Sequence, residues 1–320
     1  MPITIDFENV GMFKKLRDRT AETGHQPNLL NEDRRLYGRL REGDELDLTL
    51  GCEGFKDEGY GDVYYSLFDF IKKTSRQGTP LEQVIGAEFV STRRNLILFA
   101  QSGYSKNRFE IRALRKNGVI FLCDRESEID APGDHYDGYG YKFELYMTLD
   151  DNGQPHRDNE PPSNAECIKS VLRTSFKSGN EEIKVFYAAE LDAQDRQGQL
   201  VEFKSTSCGY EKWLEKLSLR HYLQSFLGSV PIIVKGLKNR ENVVFKVDRV
   251  IVSEIPRMNV NWNPQSCFQK LFEILKKIKS ELENDDEAMI IRSDGQNLYF
   301  EPEDAGNCTF VDSDFLRYFE

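Results

Sequence analysis

The 320-residue chain lacks several things, and each absence excludes a class of protein. Its six cysteines (Cys52, Cys123, Cys167, Cys208, Cys267 and Cys308) are spread along the chain and form no C-x-x-C pair. The four histidines, His25, His135, His156 and His221, have no ligand spacing. A zinc site is therefore not expected, and the thiols read as reduced, in a cytosolic or nuclear protein. No apolar run approaches the ~20 residues of a membrane-spanning helix, so no membrane association is expected. The opening MPITIDFENVG carries acids and no basic stretch, unlike a secretory signal. Positive charge is in deficit: 43 Lys and Arg against 54 Asp and Glu give a net charge of −11. That argues against broad, non-specific duplex binding, which needs many phosphate-neutralising bases. It leaves room for a nucleic-acid enzyme with acids in a metal site and few bases in a narrow channel.

There are enough residues for a substantial core. No internal repeat is present. Residues 1–44 read as irregular and partly basic, from Lys14, Lys15, Arg17 and Arg19 to Arg39 and Arg41. Glu45–Leu50 alternates as a strand, and Val63, Leu67, Phe68 and Ile71 predict a helix over 61–74. Ala87–Ala100 reads as a strand broken at Arg93-Arg94, and Phe109–Cys123 as a hairpin turning at Asn117-Gly118. Tyr139, Phe143 and Met147 form a helical stripe with Glu144 beside it. The polar, Pro-rich stretch 150–164 reads as a mobile loop. A helix is expected over 210–227, ended by Gly228, then strands over 231–236 and 243–253. Asn263-Pro264 starts a helix running to about 283, with Asn as cap and Pro in the first turn. Asp294-Gly295 makes a last hairpin turn. Mixed helices and strands with no obvious linker predict one α+β domain over 1–320, with mixed central β-sheets flanked by helices.

The stretch Lys184–Thr206 stands out. Two apolar runs flank a polar turn at Asp195–Gly198, a strand–turn–strand pattern. Side chains two apart share a strand face, so Glu190 and Asp192 share one and Glu202 and Lys204 another. A turn centred near Gln197 sets Asp192 opposite Glu202 and Glu190 opposite Lys204. Three acids in that space repel: a pair ~4 Å apart costs about 4 kcal/mol at an effective dielectric of 20. Hard divalent cations prefer such oxygen donors. The plainer alternative is a hairpin with a charged, wet face.

The order of an acid on a helix, E-x-D on a strand, E-x-K on the next and then a helix resembles the PD-(D/E)xK nuclease core. The likeness extends further. Gly140-Tyr141-Lys142-Phe143-Glu144, Glu190-Leu191-Asp192, Glu202-Phe203-Lys204 and Gln224-Ser225-Phe226-Leu227 resemble the ordered motifs of the DXO-type decapping and exoribonuclease family. Ser170-Val171-Leu172-Arg173 and Trp262-Asn263-Pro264 add to it. The resemblance implies a metal-dependent hydrolase of RNA 5′ ends. Such an enzyme removes incomplete or non-canonical caps, NAD caps included, and/or degrades RNA 5′ to 3′, in the nucleus and/or cytoplasm. It implies Glu144, Glu190, Asp192, Glu202 and the Phe203 carbonyl as ligands of Mg or Mn. Lys204 and Gln224 would face the scissile phosphate, and Arg93 and, more loosely, Arg19 would bind substrate. Three departures touch the substrate channel. Thr92 and Arg94 flank Arg93 where relatives often carry Trp and Gly. Lys169 replaces a cysteine, and Tyr222-Leu223 precedes Gln224.

Charge favours two ions. Four carboxylates and one lysine leave the site net negative with one divalent cation and net positive with two, before phosphate enters. Two ions ~3.5–4 Å apart would activate water and hold the leaving oxygen. Two other classes compete: a non-catalytic member that stabilises a partner ribonuclease, which would be expected to have lost metal ligands, and a DNA nuclease of the same broad fold. RNA 5′ ends are the expected partner, with a partner exoribonuclease possible and a monomer the expected state.

Overall fold

The computed structural model describes residues 1–58, 61–124 and 138–320. The chain opens with β1 (Thr4–Lys15), then short strands β2 (Ala21–Thr23), β3 (Asn28–Leu29), β4 (Gly38–Arg39) and β5 (Leu46–Asp47). Helices α1 (Tyr65–Thr74) and α2 (Leu81–Ile85) precede β6 (Phe89–Thr92) and α3 (Arg93–Gln101). A hairpin of β7 (Phe109–Lys116) and β8 (Val119–Cys123) comes before α4 (Tyr139–Met147). Then follow β9 (Cys167–Ser178), β10 (Glu181–Leu191), β11 (Ala193–Gln194) and β12 (Leu200–Thr206). Helices α5 (Tyr210–Lys216) and α6 (Ser218–Leu227) lead to β13 (Ile232–Lys238) and β14 (Val243–Ile251). The chain finishes with α7 (Pro264–Glu281), β15 (Ala288–Ser293), β16 (Leu298–Glu303) and α8 (Ser313–Arg317).

Among the described residues, one sheet runs β16-β15-β7-β8-β6-β10-β9-β1-β2 and a second β3-β11-β12-β13-β14-β4, with β5 also on β14. Both sheets mix parallel and antiparallel neighbours, and helices flank them: the expected α+β class. Strand β10 is buried on both faces. Val185, Tyr187 and Ala189 pack with Leu223 of α6 and Phe268 of α7, while Phe186 faces Phe68 of α1. Phe143 and Met147 of α4 cover Val201, Phe203 and Val234 of the second sheet. No helix among the described residues is long and apolar enough to cross a membrane.

Several elements match their local signals. Asn117 (φ 47°) and Gly118 (φ 79°) make the β7–β8 turn, a left-handed pair that Asn-Gly accepts at little cost. Asn263 caps α7 through the Ser266 N–H, with Pro264 in the first turn. Helix α4 spans the expected residues.

Others differ for physical reasons. The N-terminal stretch is not irregular: β1 pairs with β9 along its whole length, with a bulge at Val10. The partner that makes it a strand lies more than 150 residues away, beyond any local signal. The Ala87–Ala100 strand ends at Thr92, whose hydroxyl accepts from the Asn95 N–H and starts α3. Its apolar run is a buried helical face, which periodicity alone cannot tell from a strand. The single helix expected over 210–227 is broken at Leu217 (φ −121°) into α5 and α6. Strand β5 keeps only Leu46–Asp47, and α1 begins at Tyr65. The 150–164 loop has no long regular element but is tied down. The fully buried Lys142 donates from Nζ to the Asp158 and Glu160 carbonyls, at 2.7 Å each.

Candidate active site

The chain changes sheets between β10 and β12. Glu190 still belongs to the first sheet, directly opposite Lys169 of β9. Asp192 lies between β10 and β11, outside either strand. From there β11 pairs with β12, Ala193 opposite Val201 and Gln194 opposite Leu200, around the expected turn at Asp195–Gly198. The predicted register therefore holds at Asp192 and Glu202. It fails at Glu190 and Lys204, because β10 and β12 splay into different sheets. Asp192 Oδ2 accepts from the Phe203 N–H at 2.6 Å, so its carboxylate ties the splayed strands together.

Glu202, 1 % exposed, gathers most of the polar partners. Its Oε1 accepts from Lys204 Nζ at 2.5 Å and from Gln224 Nε2 at 2.6 Å. Arg93 Nη1 lies 3.5 Å from its Oε2 and donates to the Gln224 carbonyl at 3.2 Å. Glu144 arrives on α4, whose Phe143 packs edge-on against Phe203, ring centroids 6.1 Å apart. That approach depends on Gly236 of β13. A Cβ there would stand 2.7 Å from the Phe143 ring.

Glu144, Glu190, Asp192, Glu202, Lys204, Arg93 and Gln224 all line one cleft of about 270 Å³. Two sequence candidates are not among its lining residues. Phe203 follows Glu202 on β12 and donates its N–H to Asp192 at the edge of the cleft. Arg19 (φ 66°) lies with its guanidinium 5.2 Å from the Tyr65 ring. Four lining residues were not named as site candidates: Asp57, Gly140, Tyr141 and Arg220. Tyr141 lies within the G-Y-K-F-E motif, and Arg220 is one helical turn before Gln224, so both carried a signal. Asp57 carried none. Asn164 Nδ2 places it, donating to Asp57 Oδ1 at 2.6 Å and to the Tyr141 hydroxyl at 3.2 Å. Lys169 turns to Asp62 Oδ2 at 2.5 Å. His221 accepts from Trp213 Nε1 at 3.0 Å, and burial pushes its pKa down to about 3. It is a neutral core side chain.

The acids differ in what they lack. Burial, then the charges of Asp192 and Glu190, push the Glu144 carboxyl well above its usual range. Burial and Glu202 do the same to Asp192. Burial also works to raise Glu202, but Lys204 and Arg93 overcome it and hold this carboxyl below its usual value. Glu202 Oε2 remains buried without a hydrogen-bond partner. Among the described residues no three Asp, Glu, His or Cys side chains stand as a ready-made metal set. One oxygen of Glu202 is taken by Lys204 and Gln224, and one of Asp192 by the Phe203 amide. The donor chemistry nevertheless fits a hard divalent cation: converging carboxylates, two of them raised by burial and by each other's charge, and a buried Glu202 oxygen with no hydrogen bond and only Arg93 Nη1 near it, at 3.5 Å.

A family model described as RAI1-like PD-(D/E)XK nuclease matches residues 22–315. Decapping nuclease dom-3 of Caenorhabditis elegans is 29 % identical over 291 residues, covering 82 % of this chain and 74 % of its own. Decapping nuclease RAI1 of Saccharomyces cerevisiae is 26 % identical over 308 residues, covering 81 % and 74 %. Two solved structures share the fold. Scheffersomyces stipitis Rai1 with 3′-NADP⁺ and calcium has TM-score 0.77 at 15 % identity, covering 99 % and 97 % of the two chains. Candida albicans Rai1 with pU5 and Mn²⁺ has TM-score 0.74 at 16 % identity, covering 99 % and 96 %.

Proposed function

Because this chain belongs to the RAI1-like PD-(D/E)XK nuclease family, we propose that it is a divalent-metal-dependent hydrolase of RNA 5′ ends, removing incomplete or non-canonical caps, NAD caps included, and/or degrading RNA 5′ to 3′. The observation that carries this reading is the convergence of Glu144, Glu190, Asp192 and Glu202 with Lys204, Arg93 and Gln224 in one cleft. Relatives named as decapping nucleases, and solved Rai1 structures holding a dinucleotide or an oligouridylate, support it.

Glu144, Glu190, Asp192 and Glu202 would hold Mg or Mn, two ions on charge grounds, with the Phe203 carbonyl as a further donor. Bound metal supplies an activated water and a counter-charge for the leaving oxygen. The remaining roles belong to this chain. Lys204, compact and held by Glu202, places a positive charge beside the attacked phosphate. Gln224 has no basic group, so it orients by hydrogen bonds. Arg93 offers its guanidinium fork to phosphate oxygens, and Arg19 would serve substrate farther out. Burial strengthens each of these charges, and the fixed donors need no reorganisation. The enzyme acts as a monomer of one domain over 1–320, in the nucleus and/or cytoplasm, alone or beside a partner exoribonuclease.

The test is to give the purified protein 5′-monophosphate, 5′-triphosphate, NAD-capped and methyl-capped RNA, with Mg²⁺ or Mn²⁺, and to resolve the products. Metal-dependent release of a 5′ group or nucleotide is expected on at least one end. Inertness on all four in both metals would sink the reading.

A further inference from the structure

The cleft shares walls with two grooves of opposite character. The larger, about 580 Å³, shares Arg93, Arg220 and Gln224 with it. The smaller, about 100 Å³, shares Tyr141, Glu144, Glu190 and Asp192. Four arginines line the larger groove, Arg93, Arg94, Arg108 and Arg220, against the two carboxylates Glu110 and Asp124. Both carboxylates are already engaged. Asp124 accepts from Arg94 Nε at 2.5 Å, and Glu110 from Arg292 Nε at 2.8 Å. Arg108 and Arg220 are exposed, and their side chains make no hydrogen bond or ion pair among the described residues. Between the arginines, Ile97, Leu98 and Phe109 give the wall an apolar surface. The smaller groove is lined by Glu144, Glu166, Glu190 and Asp192 and by no lysine or arginine.

A polyanion crossing this surface meets a steep difference in potential. Open guanidinium groups attract phosphate, and apolar and aromatic wall suits unstacked bases. In the smaller groove Glu166 is already paired with Lys14 Nζ at 2.6 Å, and Glu144, Glu190 and Asp192 offer phosphate no cation of the chain's own, only whatever metal they hold. We infer that the arginine groove is the seat of the RNA body. The phosphates that follow the scissile linkage lie on Arg108 and Arg220, and the acidic groove receives only the departing 5′ group. The inference rests on reading the cleft as the hydrolytic site, and it assigns the polarity of the RNA across it.

The probes are 5′-phosphorylated oligoribonucleotides of two, four and eight nucleotides. Binding is followed by fluorescence anisotropy in EDTA, so that no turnover intervenes. For the natural protein, affinity should rise from two to eight nucleotides. An Arg108→Gln, Arg220→Gln variant should lose at least about tenfold on the octamer and much less on the dinucleotide. Each single-strand phosphate contact contributes a salt slope of about 0.7, so removing two should flatten the plot of log affinity against log salt by about 1.4. The Arg108→Lys, Arg220→Lys variant, which keeps the charge, should retain most of that slope. Affinity independent of length, or a glutamine variant that keeps both the rise and the slope, would overturn the inference. If the protein hydrolyses no 5′ end yet shows the arginine-dependent length effect, the proposed activity falls and the groove assignment stands.

Discussion

Lys204 and Asp192 both line the cleft, but under different constraints. Lys204 is half-buried and held 2.5 Å from Glu202, while Asp192, which lines the cleft, spends one oxygen on the Phe203 amide. An asparagine at 192 can still accept from that amide, so Asp192→Asn removes charge without removing the tie. Losing a transition-state electrostatic contact typically costs 10²–10³ in rate. Asp192→Asn and Glu190→Gln should each lower hydrolysis at least ~100-fold on that scale, and the double variant should be little worse, because the residues act as one unit. A binding readout separates ligand loss from misfolding. Ligand at 100 times its Kd stabilises the native state by about 2.7 kcal/mol. Mn²⁺ should therefore raise the melting temperature of the natural protein and raise it much less in Asp192→Asn. Near-normal, metal-dependent rates in both single variants would remove these carboxylates from the centre. Arg93 was expected to bind substrate. Its bond to the Gln224 carbonyl and its place beside Glu202 give it a share in holding α6 as well.

Among elements, α4 shows how packing places chemistry. Glu144 reaches the cleft because Phe143, fully buried, lies flush on β12 and β13, and the helix comes that close because position 236 has no side chain. Gly236→Ala puts a methyl 2.7 Å from a ring with nowhere to move. Overpacking of this kind costs roughly 1–3 kcal/mol. The variant should melt lower and also hydrolyse more slowly, since relief of the clash moves the strand bearing Glu202 or the helix bearing Glu144. Denaturant melts and rates on one preparation check this; unchanged values of both would show that α4 has slack. The β15–β16 turn offers a test by pH far from the site. Asp294 accepts from the N–H groups of Asn297 (2.7 Å) and Gln296 (2.8 Å) and from the Tyr299 hydroxyl (2.9 Å). Those bonds hold its carboxyl down to about 2, below the unfolded value of about 3.9. A depressed acid contributes stability above its unfolded pKa and loses it as pH falls through the folded one. Asp294→Ala should thus be less stable than the natural protein at pH 7, with the gap closing between about pH 4 and pH 2 on urea melts. A constant gap across that window would mean that the charge is irrelevant.

At the scale of the molecule, a net charge of −11 is set against a few bases collected at one cleft and its larger groove. On a chain with an acidic balance, phosphate is favoured where the arginines gather, which suits entry by an end more than capture of an internal stretch. Linear 5′-monophosphate RNA should be degraded while a circle of the same sequence survives in the same reaction. Equal loss of both would mean endonucleolytic cleavage.

The order of the acidic motifs, the helix that carries Glu144, the cap of α7 and the turns at Asn117-Gly118 and Asp294-Gly295 were all legible in the sequence. Each is decided within a few residues, by side-chain periodicity, a capping oxygen or a left-handed backbone position. The tertiary structure alone decided the rest. Whether residues 4–15 form a strand depended on β9, and whether the apolar run after Thr92 coils depended on which buried surface receives it. The splay of β10 and β12 turned an expected hairpin into the seam between two sheets, and it set Glu190 opposite Lys169 while leaving Asp192 level with Glu202. Asp57 and Arg93 reached the cleft through partners about 107 and 131 residues away, Asn164 and the Gln224 carbonyl. Such contacts leave no local pattern, because their energy comes from surfaces that meet only once the chain has folded.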